Sequence, residues 1–214
     1  MNTVEYIEKY KVICICRRIY GEDLLRLARA LNKGGVRMME VTFDQADPDG
    51  IRKTAEAIRM LKREMKDSMK FGAGTVLNCE QVQAAFDAGA EYIISPNTNE
   101  AVIRRTRELG MVSMPGAMTP TEILQAHDAG ANFVKLFPTG WLGLKYLKDI
   151  MGPINHIKLI ATGGITEENF GEFLKAGMVG AGVSSRLVDK KLREQGNYEE
   201  LTARARKFTE IAES

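Results

Sequence analysis

The chain has 214 residues, 44% of them hydrophobic and 27% charged, with 20 glycines and 6 prolines. That is the make-up of one globular unit with enough apolar residues for a substantial core, and residues 1–214 are expected to form one domain. Thirty basic residues against 28 acidic ones leave a formal charge of +2 with no long block of one sign, which argues against nucleic acid or an anionic membrane as partner and for a small molecule.

The opening stretch, Met1–Tyr10, is polar and amphipathic and lacks an apolar signal core. No apolar run long enough to span a bilayer occurs either, so a cytoplasmic protein is expected. Strand-like cores follow at Val12–Cys16, Arg37–Val41, Lys70–Ala73, Tyr92–Ile94, Val112–Met114, Phe133–Lys135, Lys158–Ile160 and Val179–Ala181. Helices are expected between them at Glu22–Leu31, Asp49–Lys66, Cys79–Phe86, Glu100–Leu109, Pro120–Ala126 and Thr166–Leu174, with a last one at Tyr198–Ile211. Several strands are entered the same way: a helix ends at a small residue and Gly, as in Asp87-Ala88-Gly89-Ala90 and Asp128-Ala129-Gly130-Ala131. Glycine closes a helix at positive φ and lets helix and sheet approach closely. Eight strands alternating with helices in this length predict a closed parallel (β/α)8 TIM barrel. No Gly-x-Gly-x-x-Gly turn follows the first strand, which removes the main reason to expect a dinucleotide fold.

Chemistry in such a barrel gathers at the C-terminal ends of the strands. Lys135 lies there in the run Asn132-Phe133-Val134-Lys135-Leu136-Phe137-Pro138. A buried amine that gives up its proton is a nucleophile able to form a Schiff base with a carbonyl; the alternative is a strand-end lysine whose head reaches water. Glu40, in Met38-Met39-Glu40-Val41-Thr42, is a second ionisable group in an apolar strand. It suits a general acid/base, or else a structural ion pair with Lys135 or an arginine. The turns Thr162-Gly163-Gly164 and Gly182-Val183-Ser184-Ser185 follow the last two strands, where barrels commonly bind phosphate. Arg17 and Arg18 follow the first strand and could grip a carboxylate. Asp44, Asp47 and His127 read as turn, turn and helix-surface residues, and Trp141 either roofs the pocket or packs. Cys14, Cys16 and Cys79, with only His127 and His156 to join them, form no metal-ligand pattern and read as reduced thiols.

Taken together, Glu40-Val41-Thr42, Gly72-Ala73-Gly74-Thr75-Val76, Ser95-Pro96, Pro115-Gly116, Val134-Lys135-Leu136-Phe137-Pro138 and Thr162-Gly163-Gly164 resemble, in this order, the bacterial 2-keto-3-deoxy-6-phosphogluconate (KDPG) and 4-hydroxy-2-oxoglutarate (KHG) aldolases. The resemblance covers nearly the whole chain. It implies a class I aldolase that needs no metal or other cofactor, releases pyruvate from a 2-keto-3-deoxy sugar acid and assembles as a trimer. It further implies Lys135 as the Schiff-base lysine and Glu40 as the proton-transferring carboxylate. Thr75, Pro96, Phe137 and Thr162 would line the pyruvyl pocket, while Gly163, Gly164, Gly182 and Ser184 or Ser185 would receive a phosphate. Arg17 matches an arginine that some members carry after the first strand. Two positions depart from the pattern: Asp44 stands where some members have an arginine, and Thr139-Gly140-Trp141 replaces an Ala-Glu-like continuation.

Overall fold

The computed structural model describes residues 1–214. Its strands are β1 (Val12–Cys16), β2 (Met38–Thr42), β3 (Lys70–Gly74), β4 (Tyr92–Ile94), β5 (Val112–Met114), β6 (Gly116–Ala117), β7 (Val134–Leu136), β8 (Leu159–Thr162) and β9 (Gly180–Val183). All pairings are parallel, in the order β5-β4-β3-β2-β1-β9-β8-β7-β6. The two ends of that order, β5 and β6, are joined in the chain by Pro115 alone, so the sheet returns on itself.

Proline has no N–H to offer a strand ladder, and the fifth stave breaks there. Its first half pairs with β4 and its second with β7. The Pro115 carbonyl still accepts from the Lys135 N–H at 2.9 Å, which carries the ladder across the break. The expected (β/α)8 barrel is therefore present, with one stave in two pieces.

Period-two alternation sorts the strand residues into two layers. In β1, Ile13 joins an inner cluster with Met38, Tyr92, Ile94, Phe133 and Ile160, whereas Val12, Cys14 and Cys16 belong to the larger outer layer that meets the helices. The cysteines are thus packing thiols, as their apolar strand context predicts; Cys14 and Cys16 lie with sulfurs 3.8 Å apart. The helix Thr3–Tyr10 inserts Ile7 into the inner cluster beside Ile13 and Met38, near the strand beginnings, and so plugs the barrel end opposite the site. Its start is written in the sequence: Asn2 and Glu5 form a reciprocal capping box, as do Thr119 and Glu122 ahead of the helix Pro120–Asp128.

Most expected elements agree with the structure to within a few residues. Three helices were not anticipated: Thr3–Tyr10, Thr139–Met151 and Lys190–Glu194. The helix expected at Thr166–Leu174 starts later, at Phe170. The Asn169 side chain instead folds the preceding turn, accepting from the Thr166 N–H at 2.9 Å and donating to the Gly164 carbonyl at 2.8 Å.

Candidate active site

Glu40 sits in β2 opposite Ile15 of β1 and Gly72 of β3, and Lys135 sits in β7 opposite Gly116 and Ile160. Each ionisable residue thus has a glycine on one side, and both glycine positions are already filled by neighbours. A Cβ at Gly72 would lie 2.2 Å from the Tyr92 ring, and one at Gly116 would lie 2.3 Å from the Pro96 carbonyl oxygen. Only glycine lets these groups lie flat against the strand.

Lys135 is 6% exposed and Glu40 is 1% exposed. They line one small cavity of about 10 Å³ together with Ile13, Ile15, Ile94, Met114, Ile160, Thr162 and Gly182. A space of that size is on the scale of a single water molecule. Burial lowers the Lys135 pKa; the Glu40 charge pulls it back up and the Arg17 charge adds to the lowering. Burial likewise raises the Glu40 carboxyl, against the opposing pull of Lys135 and Arg17. Desolvation dominates in both, so each is driven toward its neutral form, which for the lysine is the nucleophilic one. The Glu40 Oε2 atom has no hydrogen-bond partner in the fold, leaving one carboxyl oxygen for a bound group. Phe137 covers the amine, with Nζ 5.1 Å from the ring centroid, and is itself partly open to solvent.

A second, larger pocket of about 450 Å³ opens at the barrel mouth between Arg17, Arg18, Thr42, Asp44, Gln45 and Thr75. Two of its walls, Arg18 at φ 55° and Thr75 at φ 56°, hold left-handed backbone without being glycine. Such strain persists where surrounding contacts enforce it. At Thr75 one such contact is the Gln45 amide, which donates to the Thr75 carbonyl at 2.8 Å. At Arg18 it is Asp44, whose carboxylate takes the guanidinium at 2.6 Å. Asp44 also accepts from the Ala46 N–H at 3.2 Å, so beyond its turn role it is an ion-pair partner at the pocket rim. The Arg18 hydrogen bond and the Ala46 N–H hold its carboxyl below the usual carboxylate range.

Arg17 reaches across to the turn after β9, where its guanidinium donates to the Ser184 hydroxyl at 3.3 Å. It therefore stands between the Lys135 cavity and the final turns rather than facing Asp44 alone. The Ser184 hydroxyl in turn donates to the Ile15 carbonyl at 3.2 Å, while Ser185 points outward. Gly163 and Gly164 adopt positive φ of 89° and 72°, a backbone that turns sharply and that side chains resist. Gly182 faces the barrel interior, where a Cβ would come within 2.9 Å of the Thr162 hydroxyl.

The structure thus brings Lys135, Glu40, Thr162 and Gly182 to one cavity and Arg17 and Thr75 to the pocket above. Pro96 lies exposed at the end of β4 against Gly116 and does not line the cavity. Trp141 takes neither role expected of it: at 89% exposed it neither roofs the cavity nor packs. Sequence reasoning missed Gln45 and left the Arg18–Asp44 pair unrecognised, since the partners lie in different βα turns. Thr42, which strand periodicity places on the same face as Glu40, lines the pocket at the barrel mouth.

A family model for KDPG and KHG aldolases matches residues 4–204. The chain is 34% identical over 208 residues to the 2-dehydro-3-deoxy-phosphogluconate aldolase of Treponema pallidum, covering 97% of this chain and 96% of that protein. It is 33% identical over 192 residues to the KHG/KDPG aldolase of Escherichia coli, covering 89% of this chain and 87% of that one. Its fold superimposes with a TM-score of 0.85 and 27% identity on KDPG aldolase from Legionella pneumophila, a structure that holds pyruvate captured at low pH as a covalent carbinolamine, with 97% of this chain and 98% of that one covered. The buried amine at the end of β7 is the group such chemistry needs, and the chain belongs to the KDPG and KHG aldolase family, whose members are class I, pyruvate-dependent carbon–carbon lyases.

Proposed function

We propose that this aldolase cleaves a 6-phosphorylated 2-keto-3-deoxy sugar acid, such as 2-dehydro-3-deoxy-6-phosphogluconate, to pyruvate and an aldehyde such as glyceraldehyde 3-phosphate. The observation that carries this reading is the desolvated amine of Lys135 sharing a small cavity with the buried carboxyl of Glu40, whose Oε2 atom has no hydrogen-bond partner.

The neutral Lys135 nitrogen attacks the C2 keto carbon, and loss of water leaves an imine. The bond between C3 and C4 then breaks, its electrons moving into the imine to give an enamine while the C4 hydroxyl proton leaves and the aldehyde departs. Protonation of the enamine carbon and hydrolysis of the imine return pyruvate and the free lysine. Glu40 is the group that carries these protons, through a water in the cavity, its pKa raised by burial so that it holds a proton more readily than an exposed carboxylate. Thr162 and Phe137 shape the pyruvyl end, with Thr75 and Pro96 at its mouth. Arg17 is the cation that meets the carboxylate. The amides of Gly163, Gly164 and Gly182, with the Ser184 or Ser185 hydroxyl, receive the phosphate.

The same reading includes a cytoplasmic homotrimer. Support for assembly comes from the apolar side chains left open near the β6 and β7 turns, Met118, Leu124 and Trp141. Support for a reducing compartment comes from the neighbouring thiols of Cys14 and Cys16. The decisive test is a coupled pyruvate-release assay over phosphorylated and unphosphorylated 2-keto-3-deoxy acids, with 4-hydroxy-2-oxoglutarate included. Fastest turnover of a 6-phosphorylated acid is expected; equal or better use of an unphosphorylated one would overturn the phosphate assignment.

A further inference from the structure

The turn that follows β7 is locked to the turn that follows β8. Thr139, fully buried, donates its hydroxyl proton to the Leu136 carbonyl and accepts from the Thr162 N–H at 3.0 Å. Next to it the Gly140 N–H donates to the Gly163 carbonyl at 2.7 Å. The two backbones meet so closely that a Cβ at Gly140 would fall 2.7 Å from the Gly163 oxygen and 2.8 Å from the Gly164 Cα.

This clasp joins the two halves of the site. Leu136 directly follows Lys135, while Thr162 lines the lysine cavity and leads into Gly163 and Gly164. A buried N–H needs a partner, and here one hydroxyl serves both as donor to one strand end and as acceptor from the next. An apolar side chain of the same shape would fill the space but leave only the β7–β8 ladder and the Gly140–Gly163 bond to join the two turns. The helix Thr139–Met151 has no side-chain cap of its own, so the Gly140 N–H is free to bind across to the neighbouring turn.

We propose that Thr139 is a positioning residue of the aldolase site: its hydroxyl sets the separation between the imine-forming nitrogen of Lys135 and the Gly163–Gly164 turn. The proposal rests on the reading of that turn as the phosphate end of the site. Pyruvate spans only the lysine end, so slack between the strand ends leaves it unaffected. A phosphorylated substrate spans both anchors and loses one of them when they drift apart.

The test compares Thr139→Val, which keeps shape and removes the hydroxyl, with Thr139→Ser, which keeps the hydroxyl. Thr139→Val is expected to raise KM for the 6-phosphorylated 2-keto-3-deoxy acid about tenfold, the scale of one lost hydrogen bond. Borohydride trapping of pyruvate on Lys135 should stay within about twofold of wild type, and Thr139→Ser should restore KM. In hydrogen exchange, the Thr162 amide should exchange faster in Thr139→Val and not in Thr139→Ser. An unchanged KM and unchanged Thr162 exchange in Thr139→Val would overturn the proposal. So would a parallel fall in trapping and catalysis that follows lost folded protein, or a serine variant indistinguishable from valine. If wild type shows no preference for the phosphorylated acid, the phosphate reading fails by itself, and the exchange comparison still decides whether Thr139 couples the strands.

Discussion

Lys135 and Glu40 line the same cavity, yet no ion pair or hydrogen bond joins them, and burial outweighs their mutual attraction in setting the protonation of each. A contact ion pair would have held both charged; separation inside an apolar barrel leaves the amine available for attack and the carboxyl available for proton transfer. Incubation with pyruvate and borohydride should therefore add one pyruvyl group per chain. Peptide mapping should find it on Lys135, and Lys135→Met should take up none.

Glu40→Gln keeps the size of the side chain and removes the proposed proton shuttle. Turnover should fall about 10²–10⁴-fold while pyruvate binding changes little. Its melting temperature should match or exceed that of the wild type, because the amide has no charge to desolvate. A variant that melts early and retains near-normal turnover in its folded fraction would mark Glu40 as structural.

The lowered Lys135 pKa has a sign that stability measurements can read. The unfolded chain keeps the ordinary lysine value of 10.5, and the folded chain releases the proton earlier. Between the two values the unfolded state binds the extra proton, so stability gained from the neutral amine grows as pH rises through that window. The melting temperature of wild type relative to Lys135→Met should shift in favour of wild type as pH rises toward the ordinary lysine value of 10.5. A flat difference would mean that the amine is not desolvated.

Arg17→Ala should raise KM for the full substrate strongly and leave the fold and trapping at Lys135 largely intact. Because the Arg17 charge helps to lower the Lys135 pKa, the variant should also move the acidic limb of the trapping rate to higher pH. A silent variant would hand the carboxylate to backbone N–H groups or to Thr75. Asp44→Asn, which releases Arg18 toward the same pocket, should leave KM unchanged or lower it.

Two glycines of β3 separate stability from catalysis. Gly72→Ala drives a Cβ to 2.2 Å from the Tyr92 ring and should cost about 1–3 kcal/mol or more of stability in chemical denaturation, as core overpacking does. Gly74→Ala places a Cβ 2.7 Å from the Glu40 Oε1 atom and should act mainly on turnover by displacing the carboxylate.

No group of three or more His, Cys, Asp or Glu side chains is arranged to hold a metal ion. With the electron sink supplied by the Lys135 imine, activity should survive dialysis against EDTA. Loss that a divalent ion restores would move the protein to metal-dependent chemistry.

Much of the candidate site was legible from residue order. Lys135 and Glu40 are conspicuous because an ionisable residue inside an apolar strand has few inexpensive explanations, and strand periodicity places Glu40 and Thr42 on one face whatever the surrounding fold. The repeated small-residue and glycine ends of helices likewise reported the βα alternation, since glycine is the residue that closes a helix at positive φ; Gly89 and Gly130 do so at 88° and 101°.

Side-chain direction and distant partnership were not legible. Thr139 and Trp141 are two residues apart in one turn, yet Thr139 is buried on two backbone groups and Trp141 faces solvent, because the approach of Gly140 to Gly163 orients that turn. Arg17 meets Ser184 across 167 positions of chain, and Arg18 meets Asp44 across 26. Local patterns determine which residues form each strand, helix and cap, since those depend on backbone conformation and near neighbours. Which side chains meet at the barrel mouth is decided by barrel closure, which brings the ends of β1 and β9 together and has no counterpart in any short stretch of sequence.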